Sequence, residues 1–255
     1  MMTPFSSPWF RRLQPTGPSG KTVICFPHAG GSALTFHGLA DALQAREIAT
    51  IGVQYPGRME RYQEPFIPDV ETCAKMLAPL IAGSNVENLA FFGHSLGALI
   101  AFETAVLQGR SGVNIPKLFL SGHEWQDTNC ADPLYAATDE TLLQAVKDMG
   151  GPGAALFEQQ EFRELVFPIL RADLMIAERY LCCEGSVFDG ELFVLAGDSD
   201  PYLNPLKLTR WEHQCTGHFQ LSFFPGGHFY LDNNLSELAD KVAMVLSMDG
   251  PVCHA

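Results

Sequence analysis

The residues best able to do chemistry are Gly93-His94-Ser95-Leu96-Gly97, which match G-x-S-x-G. An apolar run, Leu89 to Phe92, precedes them and a helix-forming run starts at Leu96, so the serine occupies a strand–turn–helix junction. So sharp a turn crowds its flanks, which explains the two glycines, and strains the serine with Oγ exposed above the sheet edge. The start of the following helix turns its dipole toward any negative charge that develops there. This is a setting for nucleophilic acyl transfer. Serine is a weak nucleophile, however, and needs a base and a group to orient that base.

With this elbow the expected chain order is Ser, then Asp or Glu, then His. Pro225-Gly226-Gly227-His228 follows the last strand, and His228 is the best candidate base. His94 lies inside the elbow and reads as a packing and hydrogen-bonding neighbour. His123 precedes any suitable acid, and His213, His218 and His254 lack a glycine-rich loop to present them. The acid is sought in Gly197-Asp198-Ser199-Asp200-Pro201. Asp200 is preferred, because the third position after Gly197 carries its side chain past the strand end and Pro201 stiffens the loop. Asp198 is the alternative and otherwise a turn former. Two oxyanion donors are expected: the Leu96 amide, and one from Pro27-His28-Ala29-Gly30-Gly31, where Ala29 is preferred and His28 is the alternative. That loop lacks the lysine of a Walker motif.

These residues must be carried by a sheet whose strands end on one side. From Thr22 the chain alternates strands (Thr22 to Phe26, Ile48 to Tyr55, Leu89 to Phe92, Lys117 to Ser121) with helices (Phe36 to Ala45, Val70 to Ala82, Leu96 to Gln108). This is the rhythm of a mostly parallel sheet with helices on both faces. It breaks at about 124–188, where helical spacing (Glu140 to Met149, Glu161 to Tyr180) continues without a strand, as expected of a helical lid over one sheet edge. Alternation resumes with Glu191 to Ala196, a helix near Pro205 to Gln214, the strand Gln220 to Phe224 and a helix from Leu235 to Leu246.

At 255 residues, 47% hydrophobic and 18% charged, the chain fits one globular α/β domain over 21–255, with 1–20 as a short, partly ordered tail and not a signal peptide. No apolar run reaches the roughly 20 residues of a membrane span. A net charge of −13 disfavours nucleic acid and anionic membranes. Seven cysteines, scattered except for Cys182-Cys183 and without zinc spacing, suggest reduced thiols, a cytoplasmic protein and no metal site.

Beyond the generic site, the chain resembles the type II thioesterases, the editing enzymes of nonribosomal peptide and polyketide assembly lines, which share the α/β-hydrolase fold. The resemblance runs from about Val23 to Leu246. It rests on Cys25-Phe26-Pro27-His28-Ala29-Gly30-Gly31-Ser32, Tyr55-Pro56-Gly57-Arg58, Phe92-Gly93-His94-Ser95-Leu96-Gly97, Leu170-Arg171-Ala172-Asp173 with Glu178 and Tyr180, and Pro225-Gly226-Gly227-His228-Phe229. It implies hydrolysis of acyl thioesters on the phosphopantetheine arm of a carrier protein. Ser95, Asp200 and His228 would be the triad, Ala29 and Leu96 the oxyanion hole, and no cofactor is implied beyond that arm. A monomer suffices. Read from the residues alone, Arg58 could meet a carboxylate or a phosphate. Arg171, Asp173 and Glu178 could be the polar face of a lid helix, and Leu165, Leu170 and Leu174 could line an acyl chamber or simply pack. Rival readings are a medium-chain thioesterase serving a fatty acid synthase, a small-molecule esterase, and a catalytically idle carrier-docking scaffold.

Overall fold

Strands that are apolar on both faces must be covered on both, so the alternation seen in the sequence leads to a three-layer arrangement. The computed structural model, which describes residues 5–248 other than 15–18, 85, 87, 129, 152, 183 and 184, has this form. Strands β1 (Phe10–Arg12), β2 (Thr22–Phe26), β3 (Ala49–Val53), β4 (Leu89–His94), β5 (Lys117–Ser121), β6 (Glu191–Gly197) and β7 (Phe219–Phe224) make one sheet in the order β1-β3-β2-β4-β5-β6-β7. Only β1 is antiparallel; it pairs Phe10 with Val53. The stretch expected as a tail therefore contributes an edge strand. Phe10 is buried against the core while Arg11 and Arg12 face solvent.

Period-two alternation sorts the strand side chains onto two faces. Ile24, Phe26, Phe91, Leu118 and Val194 join a cluster with α2 (Val70–Ala82) and α3 (Leu96–Arg110). Val23, Cys25, Phe92, Phe119 and Phe193 join another with α1 (His37–Gln44) and α7 (Leu235–Ser247). The helix α3 is apolar around most of its circumference and is buried accordingly. The helix α2 starts where Asp69 accepts the Thr72 amide at 2.6 Å. Burial raises the thiol pKa of Cys25 and Cys73, so both stay protonated; Cys183 and Cys253 lie outside the described residues.

Between β5 and β6 the expected insert carries α4 (Asp139–Met149), α5 (Gln160–Arg179) and two short 3-10 turns at Leu134–Ala136 and Ala154–Glu158. Thr138 caps α4, and Gly150 ends it in the left-handed conformation. One expected helix differs. Pro205 to Gln214 is a single α-turn, α6 (Pro205–Leu208), that tightens to 3-10 over Thr209–Gln214. This seats the buried Trp211 indole with its N–H on the His123 carbonyl at 3.0 Å. No described helix is long and apolar enough to cross a membrane.

The register aligns the carboxyl ends of the strands. Phe26 lies opposite Gly93, His94 opposite Ser121, and Gly197 opposite Phe224. The chain passes from β2 to β3 on one side and then returns to place β4 on the other, so the loop after β2 borders the end of β4. A crevice forms where such a sheet reverses its winding.

Candidate active site

Ser95 joins β4 to α3 with φ 56° and ψ −120°. For a residue with a Cβ this costs on the order of 1–3 kcal/mol and persists only because its surroundings enforce it. The Ser95 amide is held by the Ser121 carbonyl at 2.7 Å, and the Ser95 carbonyl takes the Ala98 amide at 2.9 Å. The flanking glycines are sterically required. A Cβ on Gly93 would stand 2.2 Å from the Gly97 carbonyl oxygen, and one on Gly97 would stand 1.9 Å from that of Phe26. The second contact also shows how closely α3 abuts the end of β2.

His228 and Asp200 are brought together by loops that touch through glycine. A Cβ on Gly197 would meet the Gly227 carbonyl oxygen at 2.2 Å, so only glycine lets the two loops approach. The Asp198 amide bonds the Phe224 carbonyl and the Ser199 amide bonds that of Gly226, each at 2.9 Å. Across this seam the His228 Nδ1–H donates to Asp200 Oδ2 at 2.7 Å, with both residues buried. That bond fixes the tautomer and leaves Nε2 as the basic nitrogen. The other carboxylate oxygen takes the Tyr202 amide at 3.0 Å.

Asp198 is not the partner of the histidine. It is exposed and accepts the Gly226 amide at 3.0 Å and the Ser199 hydroxyl at 2.7 Å. These bonds, the hydroxyl's first, lower its pKa. It staples the acid-bearing loop to the base-bearing loop, a role more definite than that of a turn former.

The other imidazoles around the site are neutral at pH 7. Burial pushes His28 and His123 down to about 4, and His94 well below its ordinary value. His94 is fully buried beneath the elbow, 5.0 Å from the His228 ring, with Nδ1 at 2.9 Å from Ser121 Oγ, which in turn lies 2.7 Å from the Tyr230 hydroxyl. The Ser121 and Tyr230 supports had no sequence signal of their own. Of the loop after β2, the Gly31 amide bonds the His28 carbonyl at 2.9 Å and the Gly30 amide bonds Asp173 Oδ2 at 2.7 Å. The Ala29 and Leu96 amides have no acceptor among the described residues.

Ser95, His228, His28 and Ala29 open onto one cavity of 480 Å³. Its far wall is the lid: Leu142, Val146 and Met149 from α4, and Phe162, Val166, Leu170 and Leu174 from α5. Among the described residues no Asp, Glu, Lys or Arg lines it. Leu165, read in the sequence with Leu170 and Leu174, points away and is 73% exposed. Asp173 is likewise no polar face. It is fully buried and paired with Arg58, so Arg58 meets a carboxylate. Glu178 accepts the Leu134 and Tyr135 amides, and Arg171 bonds the Tyr135 and Ala137 carbonyls. Among the described residues no group of three or more His, Cys, Asp or Glu is placed to hold a metal ion. A strained exposed hydroxyl, an oriented imidazole and two unengaged amides at one cavity wall are suited to acyl transfer through a covalent intermediate.

Residues 21–245 match the model of the thioesterase domain family. The chain is 34% identical to the thioesterase PikA5 of Streptomyces venezuelae, over 92% of this chain and 84% of that one. It is 33% identical to a probable cadicidin biosynthesis thioesterase of Streptomyces griseus, over 94% of this chain, and 35% identical to the phenyloxazoline synthase MbtB of Mycobacterium tuberculosis, over 96%. It spans 66% of the length of the former and 17% of the latter. Among solved structures it superposes on the type II thioesterase BorB from the borrelidin biosynthetic cluster with a TM-score of 0.85 and 31% identity, covering 94% of this chain and 98% of that one. With the sheet order, the elbow and these matches in agreement, the chain belongs to the thioesterase domain family.

Proposed function

We propose that the protein hydrolyses acyl thioesters carried on the phosphopantetheine arm of carrier proteins in a nonribosomal peptide or polyketide assembly line. The observation that carries this reading is the convergence of Ser95, His228 and Ala29 on one uncharged, largely apolar cavity, with Asp200 behind the imidazole. Likeness to PikA5 and to BorB supports the choice of a thioester and an assembly line over a free oxyester.

In this mechanism His228 Nε2 takes the Ser95 proton as Oγ attacks the thioester carbonyl. The Ala29 and Leu96 amides hold the oxyanion. Collapse expels the carrier thiolate, which takes the proton from His228. Water, deprotonated by the same imidazole, then attacks the acyl-enzyme, and His228 returns that proton to Ser95 Oγ as the acid leaves. Asp200 keeps His228 in the working tautomer and stabilises the imidazolium. The steps use only the protein's own groups and the arm of the substrate. The partner is a carrier domain, the setting cytoplasmic and the working unit a monomer. The apolar cavity wall favours uncharged acyl groups, because a buried carboxylate or ammonium would go unpaired there.

The test is release of butyryl, malonyl and decanoyl groups from acyl-loaded carrier proteins, with a fluorophosphonate to label the serine. Wild-type protein is expected to be labelled at Ser95 and to release butyryl faster than malonyl. Ser95→Ala is expected to lose on the order of 10⁴ to 10⁶ in kcat. Near wild-type hydrolysis by Ser95→Ala would refute the mechanism. A preference for decanoyl on a fatty-acid carrier over butyryl on a peptidyl carrier would assign the enzyme to a fatty acid synthase instead.

A further inference from the structure

A buried charge pair joins the lid to the catalytic floor, where the Leu142, Phe167 and Leu170 cluster also packs against Ala29. The Asp173 carboxylate on α5 receives Arg58 in a two-pronged grip, Nη1 to Oδ2 at 2.5 Å and Nη2 to Oδ1 at 2.8 Å. Both side chains are almost wholly buried. Oδ2 also receives the Gly30 amide at 2.7 Å, and Arg58 Nη1 reaches back to the Gly31 carbonyl at 3.2 Å. The two partners therefore hold successive backbone groups of the loop that follows β2.

What they hold borders the free amide of that loop. The peptide unit from Ala29 to Gly30 is fixed at both ends: its N–H lies on Asp173 and its C=O accepts from His28 Nδ1 at 2.8 Å. The preceding unit has its C=O on the Gly31 amide at 2.9 Å. In a trans peptide the N–H points opposite to the C=O, so the Ala29 amide is aimed by elimination. A buried ion pair is a costly way to hold a helix in place, since well-packed apolar side chains serve stability as well or better. A carboxylate in this position does something an apolar group cannot: it accepts the Gly30 N–H.

We propose that Asp173, seated by Arg58, is a positioning residue for the oxyanion loop, so that the lid helix sets the aim of the Ala29 amide. The proposal rests on the reading of Ala29 as an oxyanion donor. It makes the catalytic power of the site depend on the seating of α5. A carrier or acyl chain that lifts this helix also slackens the hole.

The experiment compares Arg58→Met/Asp173→Leu, which replaces the pair by apolar side chains of similar length, with Asp173→Asn, which keeps an acceptor oxygen. Both are measured with wild-type protein for kcat and KM on an acyl carrier and for inhibition by an alkylboronic acid, whose tetrahedral adduct places an oxygen in the hole. The double variant is expected to melt within a few degrees of wild type, to lose about 10²-fold in kcat with KM little changed, and to bind the boronate correspondingly less tightly. Asp173→Asn is expected to retain more than half of the logarithmic loss as recovered kcat. Should the double variant not fold, Asp173→Asn decides: kcat and boronate affinity that move together support the proposal, and a loss of kcat with unchanged affinity overturns it. Near wild-type kcat in a folded double variant overturns it outright. Labelling of wild-type Ser95 by the fluorophosphonate separates failure of this proposal from failure of the serine mechanism.

Discussion

The sheet and the lid are held together by different forces. The sheet is packed on both faces by large apolar clusters, in which Phe26, Phe91, Phe92 and Phe119 are fully buried. The lid owns one small cluster of buried side chains, Leu142, Phe167 and Leu170, and Leu165 on its outer side is exposed. It is tied to the rest by Ile176 and Ala177 of α5, which join the cluster on one face of the sheet, and by polar anchors: Asp173 to Arg58 and Gly30, and Tyr180 to Glu103, a hydroxyl–carboxyl hydrogen bond of 2.5 Å. Burial raises the pKa of both Glu103 and Tyr180, so the tyrosine stays protonated and donates from the end of α5 to the Glu103 carboxyl on α3. Regions with few buried apolar contacts open at lower free energy than the core does. The difference suits the proposed reaction, in which groups on the rigid part act on a tethered substrate that the roof admits.

The largest effect that would sharpen this contrast is confined to the sheet side. Asp200→Asn leaves packing intact but lets His228 adopt the wrong tautomer, so kcat should fall by about 10⁴ with little change in melting temperature. Steady-state kinetics beside a thermal melt checks both halves. A loss below tenfold would remove Asp200 from the site.

Stability should separate the two regions next. Phe92→Ala opens a cavity in the middle of the sheet and should cost about 3–5 kcal/mol of global unfolding free energy in a urea titration. Phe167→Ala should cost less than half as much, and in hydrogen exchange should expose amides in 134–179 alone, because that cluster can collapse or open locally. Equal global losses would mean that lid and sheet form one cooperative unit.

The smallest effect is one of pH. His28, His94 and His123 lie at the sheet end, all with pKa values lowered by burial, and the lid from 134 to 179 contains no histidine. Unfolded, each would titrate near its ordinary 6.5; folded, His28 and His123 titrate at about 4. Between these values the unfolded chain binds protons that the folded one refuses. The contribution of His28 and His123 to stability is therefore undiminished above pH 6.5, falls as the pH drops toward 4, and levels off below. His123→Gln should flatten that slope in unfolding curves taken from pH 7 to 4, and an unchanged slope would show that His123 is not one of the buried neutral groups.

Much of this was written in local spacing. The elbow at Ser95, the helices α2 and α3, and the strands β2 and β5 follow from periodicity and glycine positions, which act within a few residues. The order of Ser95, Asp200 and His228 could be read because the loops at strand ends must fall on one sheet edge. Other features were not legible. The strand at Phe10 to Arg12 is too short to show a period, and its existence depends on an open edge at β3. Local spacing favoured Asp200 over Asp198 but left the alternative open. That choice turns on where the loop at Gly226 and Gly227 comes to rest against Gly197.

The amino-acid sequence by itself determined the candidate reacting groups and the layered scaffold, because backbone sterics and hydrophobic periodicity are short-range and repeat predictably. Only the tertiary structure decided that Arg58 and Asp173, 115 residues apart, would neutralise each other beneath the lid and grip the loop carrying Ala29. A charged side chain in a sequence looks the same whether it will face water or a partner. Burial removes that ambiguity, since a lone charge cannot remain in the interior and must find its opposite.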